Sequence, residues 1–165
     1  KPLIVFTPKS LLSRPDAVSP HREFLAPSRF REVLPDPDAP APDQVTRAVF
    51  CTGKVYYDLA ACRKERNIAD TVIIRLEQIY PLAREQLTFL LAPYQKVRDF
   101  VWCQEEPSNM GAWGHLRNRL GHLFATSFRY AGRPPMACPA EGAKALHAAA
   151  QKRLLAAAFG PRAQS

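Results

Sequence analysis

From residue 47 onward, short apolar runs alternate with stretches of helical spacing, and this alternation restricts the chain to few folds. "RAVFCTG" (47–53) is an apolar run closing in Gly53, and "KVYYDLAACRKER" (54–66) then repeats Val55, Leu59 and Cys62 at helical intervals. "TVIIRL" (71–76) is β-branched and nearly continuous, as expected of a strand covered on both faces. "AREQLTFLLAPY" (83–94) reads as a helix stopped by Pro93, and "DFVWCQ" (99–104) as the next strand. A helix over Ala112–Phe124 and a short strand in "SFRYAG" (127–132) follow. "EGAKALHAAAQKRLLAAAF" (141–159) is an Ala-rich helix with Leu146, Ala150, Leu154 and Ala157 on one face. Strands joined by crossover-length helices imply a mostly parallel, three-layer α/β/α sheet.

The segment before this body is different. Nine of the 16 prolines fall in the first 42 residues, and "PDPDAPAPD" (35–43) resists both helix and sheet. We read residues 1–43 as an N-terminal arm and Pro-rich linker, and 44–165 as the α/β domain. Within the arm, a strand over Leu3–Phe6 and a short helix from near Ser10 are expected, the remainder running along a surface. The chain starts at Lys1-Pro2 and passes straight into "LIVF", which reads as a piece of a longer polypeptide.

The net charge of +8 is unevenly spread. Lys1 to Glu106 holds fifteen basic and fourteen acidic residues, whereas the remainder sets eight basic residues against Glu141 alone. Without a lysine-rich run or an aromatic RNA-binding signature, a phosphorylated ligand or an acidic protein face fits better than nucleic acid. No apolar run approaches the roughly 20 residues needed to cross a bilayer. Cys51, Cys62, Cys103 and Cys138 are dispersed, without C-x-x-C pairs or histidines at metal-ligand spacing, so neither a disulfide nor a zinc framework is expected. A reducing compartment of the cytosolic type fits this usage.

Two stretches carry candidate chemistry. Gly53 sits where a strand turns into a helix, with Lys54 in the first turn; free N–H groups, the helix dipole and the amine make a candidate anion site. The alternative is a tight turn beside a solvated lysine. In "VWCQEEPSNMGAWG" (101–114), Glu105 and Glu106 are neighbours on a strand and point to opposite sides, so they do not converge as a catalytic pair. They are expected to bond loop N–H groups or arginines at an interface, with Asn109, Trp113 and His115 as further loop-organising or contact residues. His115 and His122 flank a helix carrying Arg117 and Arg119, and His147 lies in the final helix. No Ser/His/Asp or Cys/His arrangement can be assigned, which points to a binding or assembly domain.

Taken together, "KPLIVFTPKSLL", "CTGKVYYDL", "IIRLEQIYPL", "WCQEEPSNMGAW", "YAGRP" and "PAEG…H…Q" closely resemble the C-terminal region of the 2-oxoglutarate dehydrogenase first component, from Lys1 to about Phe159. The resemblance implies a transketolase C-terminal-like fold, a five-stranded sheet with one antiparallel edge strand. It implies a parent enzyme that decarboxylates 2-oxoglutarate on thiamine diphosphate with Mg²⁺, held by preceding domains whose G-D-G metal motif this chain lacks. The parent then succinylates the lipoyl group of a dihydrolipoyl succinyltransferase in the citric acid cycle. It works as a homodimer, in the bacterial cytoplasm or, in eukaryotes, the mitochondrial matrix. The fragment itself is expected to be non-catalytic and to hold no cofactor. Related enzymes bind an acyl-coenzyme A or adenine nucleotide near this domain, for which Lys9, Arg14, Gly53 and Lys54 are the candidates here. The competing expectation is a free-standing nucleotide- or polyanion-binding α/β module.

Overall fold

The computed structural model describes residues 2–5 and 7–160. It divides into two compact units, one up to Arg31 and one from Glu32 onward. The first holds 3-10 turns at Lys9–Ser13 and His21–Phe24, neither of which buries a residue. Leu3–Val5, expected to form a strand with Phe6, is in no strand, and Phe6 lies outside the described residues. A strand needs a neighbour to pair its backbone groups.

The second unit is the layered body. Its strands are β1 (Val33–Leu34), β2 (Arg47–Cys51), β3 (Thr71–Leu76), β4 (Asp99–Pro107) and β5 (Arg129–Arg133). Its helices are α1 (Val55–Glu65), α2 (Arg84–Leu91), α3 (Trp113–Phe124) and α4 (Lys144–Phe159). The sheet runs β1-β3-β2-β4-β5, with β1 antiparallel to β3 and every other pairing parallel.

Side-chain alternation divides the core into two layers. Ala48, Phe50, Val72, Ile74 and Trp102 face α2 and α3, meeting Leu87, Leu91, Leu116 and Leu120. Val49, Cys51, Ile73, Val101, Cys103 and Ala131 face α1 and α4, meeting Val55, Leu59, Leu154 and Ala158. On α4 the buried stripe is Ala150, Leu154 and Ala158, whereas Leu146 is 60% exposed and Ala157 half-buried. Residues 144–149 are all exposed, so the packed face begins one turn later than the periodicity indicated.

The boundary of the body also lies earlier than residue 44. β1 belongs to its sheet, and Asp36, inside the expected linker, is buried. After its two residues β1 leaves the edge of β3. The Asp36 carboxylate there accepts a hydrogen bond from the Ile73 backbone N–H (2.8 Å) and pairs with Arg63 of α1 through two contacts, Nη2–Oδ1 being 2.9 Å. Arg63 in turn donates to the Thr71 carbonyl at 3.2 Å. Two side chains thereby satisfy edge groups of β3 that a longer β1 would have paired.

At the N-terminal ends of β2 and β5, Arg47 donates to the Phe159 and Gly160 carbonyls (2.7 and 2.9 Å), and Arg129 to those of Ala157 and Ala158. Both satisfy the free carbonyls at the end of α4, where positive charge is favoured. Asp99 lies between them, 2.6 Å from Arg47 Nε and 3.0 Å from Arg129 Nη2. Burial pushes the Asp99 carboxyl up, but the two guanidiniums outweigh it and hold it below the usual carboxylate value. A carboxyl depressed in the folded state adds stability that is present above its unfolded pKa, about 3.9, and lost as pH falls through the folded value. Urea midpoints for the wild type should therefore fall below about pH 4 more steeply than those of Asp99→Asn. Parallel profiles for the two proteins would contradict this role.

Candidate functional site

The chain leaves β2 toward β3 on one side and, after β3, crosses back to β4 and β5 on the other. The strand order therefore reverses between β2 and β4, and doubly wound sheets take ligands in the crevice at such a point. Gly53 and Lys54 stand at the β2 side of this crevice, Glu105 at the β4 side. Gly53 has φ +70°, which lets the chain turn sharply into α1 without a Cβ penalty.

The crevice is bridged by the protein itself. Lys54 Nζ lies 2.6 Å from Glu105 Oε1 and 3.4 Å from Asp58 Oδ2, one turn along α1. Asp58 also accepts from Gln151 Nε2 of α4 at 2.8 Å. Burial pushes the Lys54 amine down, but the two carboxylates more than compensate and raise it above the ordinary lysine value. The lysine of the expected anion site thus stands in an internal ion pair, one amine facing two carboxylates. Lys9 and Arg14 belong to the first unit, where Arg14 pairs with Asp16 at 2.7 Å.

Glu105 and Glu106 do face opposite ways, because β4 continues through both to Pro107. Glu105 points to the α1/α4 side and meets a lysine rather than an arginine or a loop N–H. The exposed Glu106 contributes its carbonyl, which accepts from Tyr130 Oη at 2.9 Å. Burial pushes the Tyr130 hydroxyl up to about 12, so it remains a donor.

The residue that organises the following loop is Gln104, which the sequence reading passed over. Its side chain is fully buried. Oε1 accepts from Trp102 Nε1 (2.8 Å) and from the Trp113 backbone N–H (3.0 Å) that begins α3. Nε2 donates to the Met110 carbonyl at 2.8 Å and approaches those of Glu106 and Pro107. Gly111, at φ +65°, packs so closely that a Cβ there would lie 2.9 Å from Gln104 Nε2. The period-two rule carried the signal, since Trp102 and Gln104 share one face of a strand.

The other expected contact residues are also partnered within the fold. Asn109 makes two 3.0 Å hydrogen bonds to the backbone N–H and carbonyl of Met136, tying the β4–α3 loop to the segment after β5. Trp113 packs on Tyr130 with ring centroids 5.3 Å apart, and His115 meets Tyr80 edge-on at 6.0 Å. At the end of β5, the buried Arg133 pairs with Glu141 at 2.9 Å and lies 3.0 Å from His147 Nδ1. These contacts place Glu141 and His147 of the "PAEG…H…Q" motif against the end of β5, while its Gln151 reaches Asp58 of α1.

Among the described residues no group of three or more His, Cys, Asp or Glu side chains is placed to hold a metal ion. The thiols of Cys51 and Cys103 are buried register partners on β2 and β4, and burial pushes both up, away from nucleophilic thiolate. All four cysteines are free. No helix among the described residues is long and apolar enough to cross a membrane.

The layered architecture defines the class first. A solved structure titled split gene transketolase, inactive beta4 tetramer, superposes with a TM-score of 0.55 over 79% of this chain and 42% of its own, at 13% identity, which establishes a shared α/β fold. The family follows from the sequence match: the model for the 2-oxoglutarate dehydrogenase C-terminal region covers residues 18–159, and the chain belongs to that family. It is 45% identical over 161 residues to the 2-oxoglutarate dehydrogenase E1 component of Cupriavidus necator, covering 96% of this chain. It is 44% identical to that of Azotobacter vinelandii, covering 96%, and 42% identical to the mitochondrial 2-oxoglutarate dehydrogenase of Caenorhabditis elegans, covering 97%. The chain spans only 17% of the two bacterial relatives and 16% of the nematode one.

Proposed function

We propose that the chain is the C-terminal assembly domain of an enzyme that decarboxylates 2-oxoglutarate on thiamine diphosphate and passes the succinyl group to a lipoyl-bearing succinyltransferase in the citric acid cycle. The carrying observation is the family match over residues 18–159. The chemistry of the crevice supports a non-catalytic role for this part. Its residues do not fit the cofactor, because a diphosphate there would meet Glu105 and Asp58 beside the Lys54 amine, and among the described residues no ligand cluster is placed to hold the metal. This reading assigns thiamine diphosphate and Mg²⁺ to preceding domains of the same polypeptide. Those domains, and a second copy in a homodimer, are the proposed partners of this one. The compartment is the bacterial cytoplasm, or the mitochondrial matrix if the source is eukaryotic. An acyl-coenzyme A or adenine nucleotide effector remains compatible with this reading only if its phosphates draw Lys54 away from Glu105.

The test compares the 165-residue chain with the complete gene product, each supplied with 2-oxoglutarate, thiamine diphosphate, Mg²⁺ and an artificial electron acceptor. Turnover is expected from the complete product, and none above a heat-killed control from the chain alone. Turnover by the isolated chain would overturn the assembly-domain reading. A gene that opens just before Lys1 and encodes no metal-binding G-D-G segment would favour a free-standing nucleotide- or polyanion-binding module instead.

A further inference from the structure

The first unit contains a run that the rest of its structure does not use. Leu3, Ile4 and Val5 are 88%, 75% and 70% exposed, three large apolar side chains in succession. A continuous apolar, β-branched run is what a strand covered on both faces contains, since neither face then needs polar residues. Prolines at positions 2 and 8 bracket it, as they bracket strands, lacking the N–H that a ladder interior requires. No residue of the 3-10 turns that follow is buried, so the unit builds no core of its own to shelter the run.

A second observation concerns where the run belongs. The C-terminal family model begins at residue 18, yet curated relatives align over up to 97% of the chain. That coverage leaves too few unaligned residues to omit the first seventeen. Most of residues 1–17 are thus shared with the relatives while lying outside the matched C-terminal region. More than four-fifths of the length of those relatives lies outside the aligned region, since the chain covers 17% of them.

We infer that Leu3–Val5 is a β-strand whose sheet lies in the part of the parent polypeptide outside this chain, so that the arm ties the C-terminal domain to its neighbour by strand addition. This rests on the reading of the chain as part of a longer dehydrogenase. Strand addition pairs the backbone N–H and C=O groups of the run and covers both faces of a segment that water otherwise surrounds. An apolar patch docking by side chains alone would leave the backbone groups in solvent, and that difference is measurable.

Hydrogen–deuterium exchange at the Leu3–Val5 amides, on the complete gene product and on the 165-residue chain, tests it. The amides should exchange about tenfold or more slowly in the complete product and at the free rate in the chain alone. Ile4→Pro, which removes a ladder donor, should abolish that protection and lower the melting temperature of the complete product while leaving that of the chain unchanged. Free-rate exchange in the complete product, protection already present in the isolated chain, or an Ile4→Pro product with intact protection would each overturn the inference. Protected amides in a complete product without 2-oxoglutarate turnover would sustain the strand and reject the activity. Turnover with unprotected amides would do the reverse.

Discussion

Asp36→Ala should destabilise the domain by about 3–5 kcal/mol, the range for removing one partner of a buried ion pair. The Asp36 side chain is 0% exposed and that of Arg63 7%, so water does not replace the lost carboxylate. The substitution also leaves the Ile73 N–H at the β3 edge without its acceptor. In a domain of this size such a loss corresponds to a fall of roughly 10–20 °C in melting temperature. Asp38, exposed two residues away, provides the control, and Asp38→Asn should stay within about 0.5 kcal/mol of wild type. Asp36→Ala combined with Arg63→Met should recover part of the loss, since most of it comes from the stranded guanidinium. Urea denaturation measures all four proteins, and a single-mutant loss below about 1 kcal/mol would remove Asp36 from its place in the fold.

Gln104→Leu should cost about 3 kcal/mol, because Trp102 Nε1, the Trp113 N–H and the Met110 carbonyl lose a common partner and unsatisfied buried groups cost about 1–3 kcal/mol each. The sum stays below the additive total because Met110 and Trp113 are only partly buried and gain some water. The effect should be local as well as global, with the 108–113 amides exchanging faster than those of β2 and β3. Gln104→Glu should be no milder, since it keeps an acceptor for Trp102 but turns a carboxylate oxygen toward three carbonyls. A Gln104→Leu protein with wild-type stability and a protected Trp113 amide would show that the loop is held by something else.

Element type was legible wherever periodicity was strong. "TVIIRL" is β3 over the expected residues, and Val55, Leu59 and Cys62 form the buried side of α1. Runs of this kind reveal themselves because burial on a strand or helix face imposes a repeat that can be counted along the chain. The ordered motifs that resemble the 2-oxoglutarate dehydrogenase C-terminal region were legible for a related reason, being residues of fixed type in fixed order.

Contacts between distant residues left no such trace. "PDPDAPAPD" has the composition of a linker, and nothing local distinguishes Asp36 from Asp38, yet only Asp36 reaches Arg63 and the edge of β3. Lys54 after a strand-ending glycine reads as a free cation until β4 brings Glu105 to 2.6 Å from it, 51 residues later in the chain. Asp99 between Arg47 and Arg129, and Asn109 on Met136, are likewise meetings of separate segments. The sequence by itself determined the alternation of strands and helices in the body, the buried faces of β3 and α1, and the family, because these depend on residue type at short, regular spacing. Tertiary structure alone decided which charges are free and which are neutralised, because a charge's partner is set by how the strands are ordered across the sheet, and that order brings together residues far apart in the chain.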